Sequence, residues 1–157
     1  MARRCDTGDE LIADNRKAGF DYHVLETFEA GVAMLGTEVK SARERRVNLR
    51  DSYCKLDRGE AYLLGAHIGQ YSHAGYAVHD PTRARKLLLR RDELNKLLGR
   101  TVERGLTIVP LRMYFKRGRV KVAIALAKGK KTYDKRETIR RREADRETRA
   151  AIKSRRV

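Results

Sequence analysis

Apolar and polar residues alternate with a period of two along much of the chain, a spacing typical of half-buried β-strands. The first such run covers residues 22–34, is interrupted at Glu26, and predicts a long strand with a bend at Gly31. Later runs predict strands over residues 48–56, 61–68, 107–115 and 120–126. Short turns that combine Gly with charged residues join these four in pairs, so the sequence predicts two antiparallel hairpins.

Helical spacing of apolar residues occurs in two short segments. Residues 36–46 predict a surface helix with Thr37 as a candidate cap, and residues 91–98 predict a second helix that ends at Gly99. Residues 69–82 are rich in Gly, Ser, His and Asp, so they predict a loop between the strands and the second helix.

About six strands with two or three short helices fit a small antiparallel barrel, because closing the sheet removes edges that promote aggregation. Pro110 lacks an N–H group, so its strand should lie at an edge or carry a bulge there. The sequence therefore predicts a mainly β fold, a six-stranded OB-like barrel over residues 15–127. Residues 1–14 are expected to be a flexible leader, and residues 128–157 a basic C-terminal tail.

The net charge of +16 is divided unevenly between the barrel and the tail. Residues 128–157 contain 13 Lys and Arg against 5 Asp and Glu, whereas the preceding 127 residues contain 24 against 16. Each part thus carries +8. Such an excess usually reflects a polyanionic partner, most often nucleic acid and less often a membrane surface. A basic face kept for solubility is the weaker alternative, because added acid serves solubility better.

The tail has few large apolar residues, so we expect it to be mobile when free and not to dock on the barrel. It is nevertheless suited to form a helix, since Asp134 and Glu137 have capping-box spacing and opposite charges recur four residues apart. A lone helix of about 20 residues is marginal in water. We therefore expect the tail, disordered or helical, to order on a polyanion.

The sequence contains no pattern of catalytic or metal-binding residues. The four His have no partner at ligand spacing, and Cys5 and Cys54 form neither a disulfide framework nor a metal motif. Residues 129–132 are similar to part of a phosphate loop, but Ile124 stands where that motif needs Gly. The longest apolar run, residues 122–127, is too short to span a membrane. We expect a cytoplasmic monomer that is not an enzyme and binds no cofactor, metal or membrane.

Seven short segments follow one another in a characteristic order and spacing. They cover residues 15–18, 28–31, 36–41, 48–53, 79–83, 86–89 and 129–136. In this order and spacing the chain resembles the SsrA-binding protein family, SmpB. The resemblance implies an OB-like barrel that binds the tRNA-like domain of transfer-messenger RNA (tmRNA). It further implies an adaptor that takes tmRNA to ribosomes stalled on messages without a stop codon, for trans-translation.

The resemblance also implies which residues contact RNA. On the barrel these are Asn15, Arg16, Lys17, Tyr22, Glu29, Lys40, Arg83, Lys86, Leu88 and Arg90. Arg90 stands where some relatives have Asn, and its guanidinium can pair with phosphate. In the tail they are Lys128, Lys130, Lys131, Tyr133, Asp134, Lys135 and Arg136, which would contact small-subunit ribosomal RNA at the decoding centre and in the empty message channel.

Two alternatives come from other classes of protein. A structural ribosomal protein or an RNA chaperone would have a similar composition, barrel and basic tail, so only the seven ordered segments favour the adaptor. An RNA-processing enzyme would need a metal or general-base cluster, and the sequence shows none.

Overall fold

The computed structural model describes residues 9–73, 75, 78–102 and 105–155 of the chain. These residues form nine β-strands and four α-helices. In chain order they are β1 Glu10–Asp14, α1 Arg16–Asp21, β2 Tyr22–Val32, α2 Gly36–Arg43, β3 Val47–Asn48, β4 Tyr53–Asp57, β5 Glu60–Leu64, β6 His67–Ile68, β7 Arg85–Leu88, α3 Arg91–Arg100, β8 Leu106–Lys116, β9 Arg119–Gly129 and α4 Thr132–Arg155. Within the described ranges, no helix has the length and apolarity needed to cross a membrane.

Six strands form a circuit of antiparallel pairs in the order β8, β4, β5, β7, β2 and β9, with β9 pairing back onto β8. β1 adds to β8 outside this circuit. The β8–β9 hairpin is the longest ladder, whereas β4 meets β8 through a single pair, Cys54 opposite Ile108. The predicted mainly β fold with a six-stranded antiparallel barrel is confirmed.

The core lies inside this circuit and is built mainly from aliphatic side chains. Met113, Val122, Ile124 and Leu126 come from the β8–β9 hairpin and are fully buried, and Leu97 of α3 joins the same cluster. Burying a side chain of this size contributes roughly 1.5–3 kcal/mol, so the hairpin contributes substantially to the stability of the barrel.

Irregularities in the two longest strands fall where the sequence predicted them. The register of β8 against β9 shifts between Pro110 and Arg112, so the strand carries the bulge expected of a residue without an N–H group. The register of β2 against β9 shifts between Val24 and Glu26, at the predicted interruption.

The strands predicted over residues 48–56 and 61–68 are each broken in two. Asp51, with a φ of 60°, lies in the turn between β3 and β4, and Gly65, with a φ of 74°, lies between β5 and β6. The two breaks approach closely, since a Cβ on Gly65 would lie 3.3 Å from the carbonyl oxygen of Asp51. The prediction of continuous strands is wrong here because a positive φ ends the extended backbone.

The predicted flexible leader is wrong for residues 10–14, which form β1 along β8. Residues 1–8 of that leader lie outside the described part of the chain. The predicted cap of α2 is also wrong. Thr37 lies inside the first turn, and the carboxylate of Glu38 instead accepts a hydrogen bond from the backbone N–H of Leu35 at 2.8 Å.

Candidate nucleic-acid interface

Asn15 fixes the start of α1 against the barrel. Its Oδ1 accepts a hydrogen bond from the N–H of Ala18 at 3.3 Å, and its Nδ2 donates to the carbonyl oxygen of Pro110 at 2.9 Å. The side chain is buried, unlike the neighbouring Arg16 and Lys17, which are exposed. Asn15 therefore positions two exposed cations, and its own amide is engaged within the protein.

A cleft of about 270 Å³ lies between α1 and β4, and Lys17, Tyr22 and Tyr53 are among the residues that line it. Lys17 pairs with the carboxylate of Asp51 at its edge. An exposed ring beside a cation suits an unpaired base, which can stack while its phosphate is neutralised. Tyr53 was missed by the sequence prediction, although alternation with the buried Cys54 marks it as outward-facing.

Glu29 lies on the outer face of β2 between groups from β8. Its Oε2 accepts hydrogen bonds from the hydroxyl of Tyr114 at 2.6 Å and from Nζ of Lys116 at 3.1 Å. The Tyr114 hydrogen bond, followed by the bond and charge of Lys116, holds the pKa of Glu29 below its ordinary value. Glu29 is therefore an ionised acceptor at neutral pH, held in place by two neighbours.

A buried ionic cluster joins α2 to β7. Glu38 is fully buried, and its carboxylate accepts from Nη2 of Arg83 at 2.8 Å and from Nε of the fully buried Arg85 at 2.9 Å. Nη1 and Nη2 of Arg85 also donate, at 2.9 and 3.1 Å, to the carbonyl oxygens of Ala66 and Pro81. Arg83 stays partly exposed, so this cluster holds one of the predicted RNA-contacting cations at the surface.

The environment of Glu38 explains why this carboxyl stays ionised. Burial alone would raise its pKa, but the hydrogen bonds from Arg83 and the Leu35 amide, together with the charge of Arg85, outweigh burial. The pKa of Glu38 is therefore lowered. A lowered pKa in the folded state contributes stability at every pH above the unfolded value, and that stability is lost as the pH falls through the folded value.

We therefore expect the melting temperature to fall as the pH drops below about 4.5, the ordinary value for a glutamate. The measurement is thermal unfolding followed by circular dichroism between pH 7 and pH 3. In a Glu38→Gln variant the acid-dependent part of the drop should be smaller, because position 38 no longer titrates. Identical pH profiles for the two proteins would contradict this assignment.

The other predicted barrel residues continue the surface along α2 and β7. Lys40 lies over the ring of Tyr71 with its Nζ 5.3 Å from the centroid, and Lys86 pairs with Glu60 at 2.7 Å. Leu88 is 54% exposed and sits opposite Gly31 of β2. Arg90 precedes α3 and is exposed.

The tail forms α4 and touches the barrel, contrary to the expectation that it would not dock. The N–H of Lys130 donates to the carbonyl oxygen of Asp21 at 2.8 Å, and Nζ of Lys135 lies 3.3 Å from the Asp21 carboxylate. Arg142 stacks over the ring of Phe20 at 5.6 Å. No residue of α4 is buried, so polar and cation–π contacts replace the apolar contacts that the sequence lacks.

The first turn of α4 also differs from the capping prediction. The helix begins at Thr132, so Asp134 lies within the first turn and its carboxylate accepts from the N–H of Lys131 at 3.3 Å. The same carboxylate lies 3.4 Å from Nε2 of His23. Lys128, Lys131, Tyr133 and Arg136 are exposed around this turn. The predicted tail residues thus cluster where β9 passes into α4.

Among the described residues, no group of three His, Cys, Asp or Glu side chains is arranged to hold a metal ion. What the surface offers is a curved barrel with exposed cations, tyrosines and one ionised acceptor, next to a basic helix. These features define a basic β-barrel protein of the kind that recognises folded nucleic acid through shape, phosphate contact and stacking.

Comparison with known proteins identifies the family. Residues 12–154 match the family model described as SmpB protein. The SsrA-binding protein of Trichodesmium erythraeum (strain IMS101) is 57% identical over 154 residues, which is 98% of this chain and 99% of that protein. The SsrA-binding protein of Syntrophobacter fumaroxidans (strain DSM 10017 / MPOB) is 57% identical over 137 residues, covering 87% and 85%. The chain belongs to the SmpB family.

A solved structure agrees with this result. One chain of "tmRNA-SmpB: a journey to the center of the bacterial ribosome" superposes with a TM-score of 0.67 and is 47% identical in sequence. The match covers 82% of this chain and 94% of that one. The fold predicted from the pattern is therefore also the fold of this relative.

Proposed function

We propose that this protein is a tmRNA-binding adaptor that delivers tmRNA to stalled ribosomes for trans-translation. The observation that carries the proposal is the family match, which spans residues 12–154 and thus includes both the barrel and the tail. The solved relative, which is named as a tmRNA–SmpB pair and linked to the bacterial ribosome, supports the same two partners.

The barrel binds the tRNA-like domain of tmRNA in this proposal. Arg16, Lys17 and Lys40 are exposed cations for phosphate, and Tyr22 lies in the α1–β4 cleft, where an unpaired base fits. Glu29 adds an acceptor for base or ribose donors, since an ionised carboxylate cannot attract phosphate. The protein acts in the cytoplasm by binding alone, and a separate enzyme alanylates tmRNA.

The tail serves the ribosome in this proposal. It enters the decoding centre and the empty message channel, where its cations meet small-subunit ribosomal RNA. The side-chain contacts that hold α4 on the barrel lie at the surface and are partly exposed, namely Lys135 with Asp21, His23 with Asp134, and Arg142 over Phe20. Surface contacts of this kind are each worth about 0–1 kcal/mol. Phosphate groups that line an RNA channel can compete with the barrel for the cations of α4. The helix can therefore leave the barrel when the ribosome provides a higher density of negative charge.

A structural ribosomal protein or an RNA chaperone is disfavoured by the family match, and the identity of the bound RNA tests the adaptor directly. We expect tmRNA to be the most enriched RNA when the tagged protein is isolated from its own cells and the bound RNA is sequenced. Enrichment of ribosomal RNA without tmRNA, or of many RNAs equally, would contradict the proposal.

Removal of the tail should leave most of the RNA affinity in place. β9 ends at Gly129, so a chain that stops after Lys131 keeps the whole barrel. We expect it to bind the isolated tRNA-like domain within about tenfold of the full chain, a loss of at most ~1.4 kcal/mol. A loss of several hundredfold, with circular dichroism showing an intact barrel, would make the tail the main RNA clamp.

A further inference from the structure

Several cations of the barrel surface are neutralised within the protein. Lys17 pairs with Asp51, Arg83 with Glu38, and Lys86 with Glu60. The cations of these three pairs are among the residues that the family resemblance implies contact RNA. An RNA that used them would have to compete with a carboxylate or share the cation with it. Cations that lack such a partner and lie close together are therefore the stronger phosphate sites.

One such group lies where α2 meets the tip of the β8–β9 hairpin. Within the described part of the chain, Arg43, Arg117 and Arg119 have no carboxylate at ion-pair distance. All three are exposed. We call these three arginines the hairpin-end patch.

The backbone holds the hairpin-end patch in a defined shape. Lys116 pairs with Arg119, and the two residues between them have φ angles of 50° and 73°, which are those of a tight two-residue turn. Arg43 and Arg117 line one cleft of about 350 Å³ together with Phe115. The three arginines of the patch are therefore positioned by the short β8–β9 turn and by the last turn of α2.

A second cleft, of about 280 Å³, lies on the other side of the hairpin tip and is lined by Arg119, Lys121 and Leu88. The two clefts share Gly118, so the arginines form a continuous surface with the exposed Leu88. Glu10 is the carboxylate that lines the first cleft, and it lies 3.8 Å from Arg45, which is not part of the patch.

We propose that the hairpin-end patch contacts the phosphate backbone of an RNA and extends the RNA-contacting surface of the barrel beyond Leu88. The guanidinium group suits this role because its planar set of N–H donors matches two phosphate oxygens. Because phosphate oxygens are the same at every nucleotide, a contact of this kind does not depend on base sequence. This inference rests on the proposed function, because it takes RNA to be the partner of the barrel.

The test compares two full-length variants that lose equal charge. One carries Arg43→Gln, Arg117→Asn and Arg119→Gln, with Asn chosen because it tolerates the positive φ at position 117. The control carries Lys55→Gln, Arg58→Asn and Arg91→Gln, with Asn again chosen because the φ at position 58 is positive, and these changes remove three exposed cations from the β4–β5 hairpin and the start of α3. Thermal unfolding establishes that both variants are folded.

Binding to the isolated tRNA-like domain is measured at salt concentrations between about 50 and 300 mM. Affinity that depends on phosphate contacts falls steeply over this range, with a slope of log affinity against log salt on the order of one unit per contact. Each lost phosphate contact lowers the slope of log affinity against log salt by ~0.7–0.9. With three arginines removed, we expect the slope of the patch variant to be smaller by about 2. Its affinity at the lowest salt should fall at least roughly tenfold. The control should keep the slope of the unaltered protein.

A second arm repeats the measurement with ribosomes carrying tmRNA. A reduced slope there, with an unchanged slope for the tRNA-like domain, assigns the contacted phosphates to ribosomal RNA. Equal slopes for the patch variant and the control in both arms overturn the inference and leave a protein surface as the remaining partner. Failure of the proposed function looks different, since the unaltered protein would then bind the tRNA-like domain no better than an unrelated tRNA.

Discussion

Reversing the charges of Asp134, Lys135 and Arg136 is expected to abolish tagging of stalled nascent chains while affinity for the tRNA-like domain stays within about tenfold. The substitutions are Asp134→Arg, Lys135→Glu and Arg136→Asp, and they change the net charge of the tail by two units. Their physical effect is concentrated in one turn. Asp134 accepts from the Lys131 N–H and so stabilises the positive end of the helix dipole. Lys135 and Arg136 supply cations for ribosomal RNA.

The measurement combines tagging in a reconstituted translation reaction with a binding titration of the tRNA-like domain. A matched control makes the same reversal on the β4–β5 hairpin, with Asp57→Arg, Lys55→Glu and Arg58→Asp, and should tag normally. Normal tagging by the tail variant would show that this turn has no special role. Equal loss of tagging in the control would attribute the effect to net charge alone.

Replacing Glu38 by Gln is expected to lower the free energy of unfolding by about 3–5 kcal/mol, because it leaves the buried Arg85 without its counter-charge. The carboxylate accepts from Arg83, Arg85 and the Leu35 amide at once. A neutral amide offers one acceptor and turns two donors toward the same groups. The melting temperature should fall by about 10 °C.

Glu44→Gln is the matched control for this experiment. Glu44 also pairs with an arginine, Arg46, at 3.1 Å, but both side chains are substantially exposed, so the loss should stay below about 1 kcal/mol. Urea unfolding of the three proteins measures both differences. A Glu38→Gln variant as stable as the control would mean that the buried cluster contributes specificity and not stability.

Much of the barrel is determined by local patterns in the sequence. Alternation over residues 107–115 and 120–126 predicts the β8–β9 hairpin because a strand exposes one face and buries the other. The bulge near Pro110 follows from its missing N–H group, a property of the residue itself. The basic tail and its helical tendency are likewise local properties. The seven ordered segments identify tmRNA as the expected partner, because the resemblance to the SmpB family rests on them and not on composition.

Short elements escaped the prediction because their stability comes from distant partners. β1 is five residues long and exists as an addition to β8, and α1 is fixed by the amide of Asn15 against Pro110, 95 residues away. On β5, Ala61 and Leu63 are buried while Tyr62 and Leu64 are half-buried. Since all four are apolar, alternation alone does not choose the buried face.

The sequence by itself determined that this protein is a mainly β barrel with a basic tail and the ordered segments of one family. Only the tertiary structure decided which cations pair with a carboxylate of the protein and which do not. Glu38 meets Arg83 and Arg85 across 45 and 47 residues, and Arg43 meets the tip of a hairpin more than 70 residues away. Sequence spacing does not encode such encounters, because closure of the barrel, not the local period, brings these side chains together or leaves them unpaired.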